Sequence, residues 1–179
     1  MGSACPGNPL AAVRQVGCKG MKRSEIVAVN APIRSDALPR LEDYPYRLSD
    51  NVRFADLDPN GHVNNAVYAT YFETGRVTLV KDPSYGLMPP ELGWIMVRID
   101  IHFRAELHWP GRIELGLGVV KFGRTSVTFD QVVFSEGRCV ASAQAVTVLI
   151  DDTTRRPTPL TPEIKTNFQR WIRRGADPA

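Results

Sequence analysis

Four strand-like stretches, separated only by short turns, run through the second half of the chain, and the first two alternate apolar and polar residues. In the first, Ile95, Val97, Ile99, Ile101 and Phe103 alternate with Met96, Arg98, Asp100, His102 and Arg104. Such alternation puts one face of a strand on a core and the other outward. Trp109-Pro110-Gly111 reads as a turn, and Arg112 to Lys121 carries Ile113, Leu115, Leu117 and Val119 at the same period. Phe122-Gly123 marks a hairpin before the β-branched run Thr125 to Phe134. Glu136-Gly137 is the next turn, and Arg138 to Ile150 the last strand. Parallel neighbours need crossovers of a dozen or more residues, so strands joined this closely must be largely antiparallel.

Upstream the pattern changes. Tyr46 to Phe54 reads as a strand, with Leu48, Val52 and Phe54 apolar. A polar loop follows, Asp56-Leu57-Asp58-Pro59-Asn60-Gly61-His62-Val63-Asn64-Asn65, and then a Pro-free stretch, Ala66 to Val80, with helical spacing. Tyr68, Phe72 and Leu79 fall near one face of that helix, with Val67 and Tyr71 beside them. Gly75 costs about 1 kcal/mol relative to Ala in a helix interior, so close approach of the helix to a sheet is the expected compensation. Asn64 or Asn65 is the natural N-cap, and Asp82-Pro83-Ser84 the stop. Near the C-terminus, Thr161-Pro162-Glu163 predicts a short helix start, with Ile164, Phe168, Trp171 and Ile172 as its apolar stripe. The expected fold is α+β: a five-stranded antiparallel sheet wrapped around one long central helix, plus a short C-terminal helix. One sheet face and its edges are left to cover, and pairing of two subunits is the economical way to do so.

Residues 1–43 hold Gly, Pro, Ser and Asn with little periodicity, and are read as a poorly structured extension whose first twenty residues lie ahead of a plausible start at Met21. The expected organisation is this extension, a single domain over 44–152, and a tail over 153–179. The net charge of +3 permits an anionic ligand but is far from the basic stripe of a nucleic-acid binder. No apolar run approaches the ~20 residues of a membrane span, and no apolar segment follows the N-terminal basic residues as in a secretory signal. Cys5, Cys18 and Cys139 have neither metal spacing nor an even count. These features predict a reduced, cytoplasmic protein with no bound metal or cofactor, and Cys139 is read as a small residue in or near the core.

The acidic loop feeds directly into a helix N-terminus, whose first N–H groups lack intrahelical partners and carry partial positive charge. That end can polarise a carbonyl oxygen, and a carboxylate beside it can attack the carbon or activate a water. The motif Asp-x-Asp-x-x-Gly-His-Val-Asn-Asn-x-x-Tyr, Asp56 through Tyr68, followed by Tyr71-Phe72-Glu73 and Arg76, resembles the hotdog-fold thioesterases, more narrowly the 4-hydroxybenzoyl-CoA thioesterase family. The resemblance covers the element order from Tyr44 to Asp152. It implies a homodimer or tetramer acting on acyl-CoA, with sites at the subunit interface. It also implies Asp58 as the catalytic carboxylate, nucleophile or general base, and the Asn65 N–H as the group facing the thioester oxygen. Some relatives carry Tyr or His where this chain has Asn64-Asn65, so their side-chain contacts do not transfer.

Around that pair, the neighbouring residues have open or structural roles. Asp56 is read as a loop-shaping hydrogen-bond acceptor. His62 either orients the loop or contacts substrate, and Asn64 caps the helix, positions water, or both. Gly61 is placed against the substrate, and Tyr68 in the core or pocket wall. Glu73 and Arg76 stand three apart, so an ion pair is expected, with Glu73 a minor rival to Asp58 as the catalytic acid. Lys121 and Arg124, flanking a tight turn, are the best candidates for the phosphates of CoA, ahead of Arg104, Arg155 and Arg156. Two other classes fit the same residues: a hotdog protein that holds acyl-CoA or acyl carrier protein without turnover, and a lyase on acyl thioesters, which needs a His base from His62, His102 or His108.

Overall fold

The structure is a computed structural model and describes residues 38–178. Strand β1 (Tyr46–Asn51) leads through the acidic loop to helix α1 (Val67–Lys81). Strands β2 (Leu92–Phe103), β3 (Arg112–Phe122), β4 (Ser126–Ser135) and β5 (Arg138–Asp151) follow, and then the short helix α2 (Pro162–Phe168). The five strands form one sheet in the order β1-β3-β4-β5-β2, and every neighbouring pair is antiparallel. The sheet curls around α1, the hotdog arrangement. Tyr68, Tyr71, Phe72 and Leu79 of α1 are buried against Leu115, Leu117, Phe129 and Val133 of the sheet.

Strand β2 departs from its simple alternation. Met96 pairs with Thr147 and the next partner of β5, Val146, pairs with Arg98. Val97 is therefore the extra residue of a bulge, which reverses the facing of what precedes it. Ile99 and Ile101 pack on the core as expected, but Ile95, Met96 and Val97 are all exposed, with the Met96 sulfur touching Arg76 of α1. The end of β1 also differs. The strand stops at Asn51, Val52 is buried, and Phe54 falls in a single 3-10 turn (Phe54–Asp56) where it is exposed. Here the chain must turn to carry Asp56 toward α1.

The turns obey their local chemistry. Glu136 and Gly137 both have positive φ, the conformation that matches the twist of a two-residue hairpin. Asp82 Oδ1 accepts the Ser84 N–H and closes α1. Thr161 Oγ1 accepts the Ile164 N–H and opens α2 with Pro162 behind it. Helix α2 ends at Phe168, so only Ile164 and Phe168 of the expected stripe lie on it and are buried; Trp171 closes a 3-10 turn and Ile172 lies beyond. After it the chain crosses the outer face of the sheet, where the Arg173 N–H donates to the Val119 carbonyl at 2.9 Å. Gly118 makes that crossing possible, since a Cβ there would lie 2.9 Å from Arg173 Cα. Arg173 then reaches Asp130 at 2.9 Å, and Tyr44 donates to the same carboxylate oxygen. Burial outweighs the nearby guanidinium and holds the Asp130 carboxyl above its usual range. Cys139 is buried, its thiol donating to the Ala141 carbonyl. Cys5, Cys18, the candidate start at Met21 and nearly all of the expected N-terminal extension lie outside the described residues.

Gly75 does not serve the role expected of it. A Cβ there would find its nearest neighbours at 3.8 and 4.0 Å, ordinary van der Waals contact. Gly75→Ala should therefore stabilise the protein by about 0.5–1 kcal/mol through helix propensity. A urea melt checks this; a loss of stability would show that the helix sits closer to Gln131 and Leu115 than the structure has it.

Candidate active site

The acidic loop is a small hairpin of its own. Leu57 pairs with Val63, the Asp58 N–H donates to the His62 carbonyl at 2.9 Å, and the Gly61 N–H donates to the Asp58 carbonyl at 3.0 Å. Pro59 presets the turn, and Gly61 sits at φ 83°, where a side chain would be strained. Asp58 Oδ1 accepts the Asn60 N–H at 2.8 Å, an Asx turn. Asp58 Oδ2 has only longer contacts, with Asn60 Nδ2 at 3.5 Å and His62 Nδ1 at 3.4 Å. One carboxylate oxygen is thus committed to the loop, and the other faces an imidazole.

Asp56 anchors the loop from below. It is buried, and its Oδ2 accepts the Tyr71 hydroxyl at 2.6 Å and the Arg53 N–H at 2.8 Å. Its carbonyl accepts the Asn64 N–H. Burial, and then the bond to Asp56, push the Tyr71 hydroxyl pKa upward, so it stays a donor. The structural reading of Asp56 holds. The Tyr71 partner carries no sequence signal beyond its place near the buried face of α1.

The helix begins one residue later than expected. Ala66, the residue before Val67, makes no side-chain cap. Capping occurs upstream: Asn64 Oδ1 accepts the Ala66 N–H at 2.9 Å, and the Asn64 carbonyl accepts the Val67 N–H. Between these, the exposed Asn65 has no acceptor for its N–H among the described residues. It is a free amide at the positive end of a helix dipole.

The rim is partly aromatic. His62 and His108 rings stand 6.4 Å apart, edge to face, with His108 Nδ1 3.2 Å from the Gly61 carbonyl oxygen. His108 belongs to the β2–β3 connection, and nothing in the sequence brings it to this loop. Tyr68 is buried between Tyr71 and Phe103, so it is a core residue beneath the loop. Lys121 and Arg124 are exposed at the far end of β3. The loop contacts Leu107 and His108, just ahead of Arg112 at the opposite end of β3, and Lys121 stands nine residues, or about 30 Å of strand, beyond Arg112.

The expected ion pair on α1 is absent. Arg76 is buried and donates to Gln131 Oε1 at 2.7 Å, with Glu73 beyond ion-pairing distance. Burial outweighs attraction to Glu73 and lowers the Arg76 pKa. Gln131 in turn donates to the Phe72 carbonyl at 2.8 Å. The signal for Gln131 was available: it occupies an inward position of β4, in register with Val127, Phe129 and Val133. No group of three His, Cys, Asp or Glu residues among the described residues could hold a metal. No helix among them is long and apolar enough to cross a membrane.

The thioesterase-like superfamily matches residues 52–168, which includes the loop, α1 and the whole of β2 to β5. The PA5185 protein of Pseudomonas aeruginosa shares 28% identity, with a TM-score of 0.68 over 78% of this chain and 99% of its own. A Thermus thermophilus thioesterase solved with coenzyme A and Zn shares 28% identity, with a TM-score of 0.62 over 72% of this chain and 94% of its own. YbaW, a probable thioesterase of Escherichia coli, is 24% identical, with a TM-score of 0.64 over 72% and 99%. No curated protein matches. The chain belongs to the thioesterase-like superfamily and is a hotdog-fold thioester hydrolase.

The loop's position depends on the bond between Tyr71 and Asp56. Tyr71→Phe should cost about 1–3 kcal/mol, since a buried carboxylate loses a donor. Thermal unfolding measures it; an unchanged midpoint would show that the Arg53 N–H alone satisfies Asp56.

Proposed function

We propose that this protein hydrolyses acyl-CoA thioesters to a free acid and CoA, with Asp58 as the reacting carboxylate and the Asn65 N–H as the oxyanion donor. The observation that carries the reading is the unpartnered Asn65 amide at the start of α1, a few residues from a carboxylate with one oxygen only loosely held. The coenzyme A bound by the Thermus relative supports the choice of carrier.

Two routes use these groups. Asp58 can take a proton from water as the water oxygen bonds to the thioester carbon, returning it to the departing thiolate. Alternatively its oxygen bonds to that carbon, the thiolate leaves, and water cleaves the resulting mixed anhydride. Either way the carbonyl oxygen gains negative charge beside Asn65, where a preorganised donor is worth about 10²–10³ in rate. His62, 3.4 Å from Asp58, orients the carboxylate. Asn64 holds the turn that leaves the neighbouring amide free, and Gly61 keeps side-chain bulk off the loop. Asp58→Asn is a clean test because an amide oxygen still accepts the Asn60 N–H. Turnover of acyl-CoA should fall about 10²–10⁴-fold with the melting temperature unchanged. Wild-type turnover in the folded variant would remove Asp58 from the mechanism.

The same reading includes a homodimer. β2 is an edge strand of twelve residues, and Ile95, Met96, Val97 and Phe103 are exposed along it. A long apolar edge invites another strand, and a second copy is the occupant that would also wall the site. Val97→Lys should shift the protein toward monomer in light scattering. A dimer unaffected by the lysine would place the interface elsewhere.

A further inference from the structure

The interior side of β2 holds a second feature, separate from the acidic loop. A cavity of about 330 Å³ lies between the C-terminal half of α1 and the first half of β2. Its walls are largely apolar, with Val77, Met88, Trp94 and Phe129 among them. Its volume is at the lower end of small-molecule pockets. Four charged residues line it. Asp152 is paired with Arg155 at 3.2 Å, and Glu73 and Lys81 are exposed to solvent. Arg76 is different: only 5% of it is exposed.

Arg76 has no anionic partner in contact. Its Nη1 donates to Gln131 Oε1 at 2.7 Å, and its Nη2 meets the Met96 sulfur at 3.3 Å, a weak acceptor. No carboxylate lies within 4 Å of it. A buried guanidinium carries five donors and a charge, and burial without an anion is costly. Gln131 fixes its orientation, because the other end of that amide is tied to the Phe72 carbonyl. The cation is thus held in place at the cavity wall, with Glu73 near enough to attract it but no carboxylate in direct contact.

We infer that this cavity takes the far end of the acyl group and that Arg76 selects acyl groups ending in a carboxylate. The inference rests on the acyl-CoA hydrolysis proposed above. Arg76 lies nine residues, or about 14 Å of helix, beyond the first residue of α1. An acyl chain with its thioester at Asn65 and its anionic end at Arg76 therefore lies extended along α1.

Paired substrates test this. Wild-type protein is assayed with suberoyl-CoA and sebacoyl-CoA against octanoyl-CoA and decanoyl-CoA, and then Arg76→Gln, with circular dichroism as the check on folding. Wild type should favour the ω-carboxyl member of each pair at least about tenfold in kcat/KM. Arg76→Gln should lose that preference, read as the ratio of kcat/KM within each pair rather than as an absolute rate. Equal rates in wild type, or a preference that survives the substitution, would overturn the role of Arg76 while leaving hydrolysis standing. Calorimetry with octanoate and octan-1-ol, read without turnover, separates the two claims. Tighter binding of octanoate that disappears in Arg76→Gln supports the anion site even if no thioester is cleaved. Equal binding of the two overturns it. Should Arg76→Gln fail to fold, Arg76→Lys keeps the charge but not the fork, and should weaken the preference without abolishing it.

Discussion

The hydrogen bond from Tyr71 to Asp56 is the constraint on which the site depends. It joins the loop to the helix at a buried point, where a carboxylate without donors would be costly. From that anchor the Asp56 carbonyl accepts the Asn64 N–H, and Asn64 spends both of its oxygens on Ala66 and Val67. The backbone between has nothing left to offer Asn65. The free amide is thus a by-product of how its neighbours are satisfied. The same economy applies to Asp58, which commits one oxygen to Asn60 and leaves the other near His62.

The sheet serves this arrangement by holding α1 at a fixed depth. Tyr68, Tyr71 and Phe72 are buried on β3, β4 and β5, so the start of the helix cannot shift without opening the core. The outer face of β3 and β4 is closed by two chain segments: Tyr44 before β1 and the Arg173 region after α2, which meet at Asp130. Of the two edge strands, β2 is the longer, twelve residues against six for β1. Around its bulge at Val97, Ile95, Met96 and Val97 are all exposed, with the Met96 sulfur also reaching Arg76.

The element order and the antiparallel sheet were legible because period two and short turns leave few alternatives. The loop was legible because Pro59, Gly61 and Asn64 each have one strong local preference. What could not be read were the features set by contacts distant in sequence. Nothing local marks the bulge in β2, since each residue there suits a strand. His108 reaches Gly61 only through folding. Arg76 was expected to pair with Glu73 because helix spacing allows it; Gln131, on a strand 55 residues away, has the guanidinium instead. The general rule is that periodicity shows which face is buried, while the partners of a buried polar group depend on the fold.

The central claim concerns one amide, so the most direct measurement observes it. Amide resonances of the intact protein would be followed while a non-hydrolysable thioether analogue of acyl-CoA, with a ketone in place of the thioester carbonyl, is added. The account predicts that the Asn65 N–H shifts strongly on saturation and that its hydrogen exchange slows, because it acquires an acceptor it lacks in the free protein. Saturation of the ligand with Asn65 unmoved, its exchange as fast as before, would contradict it.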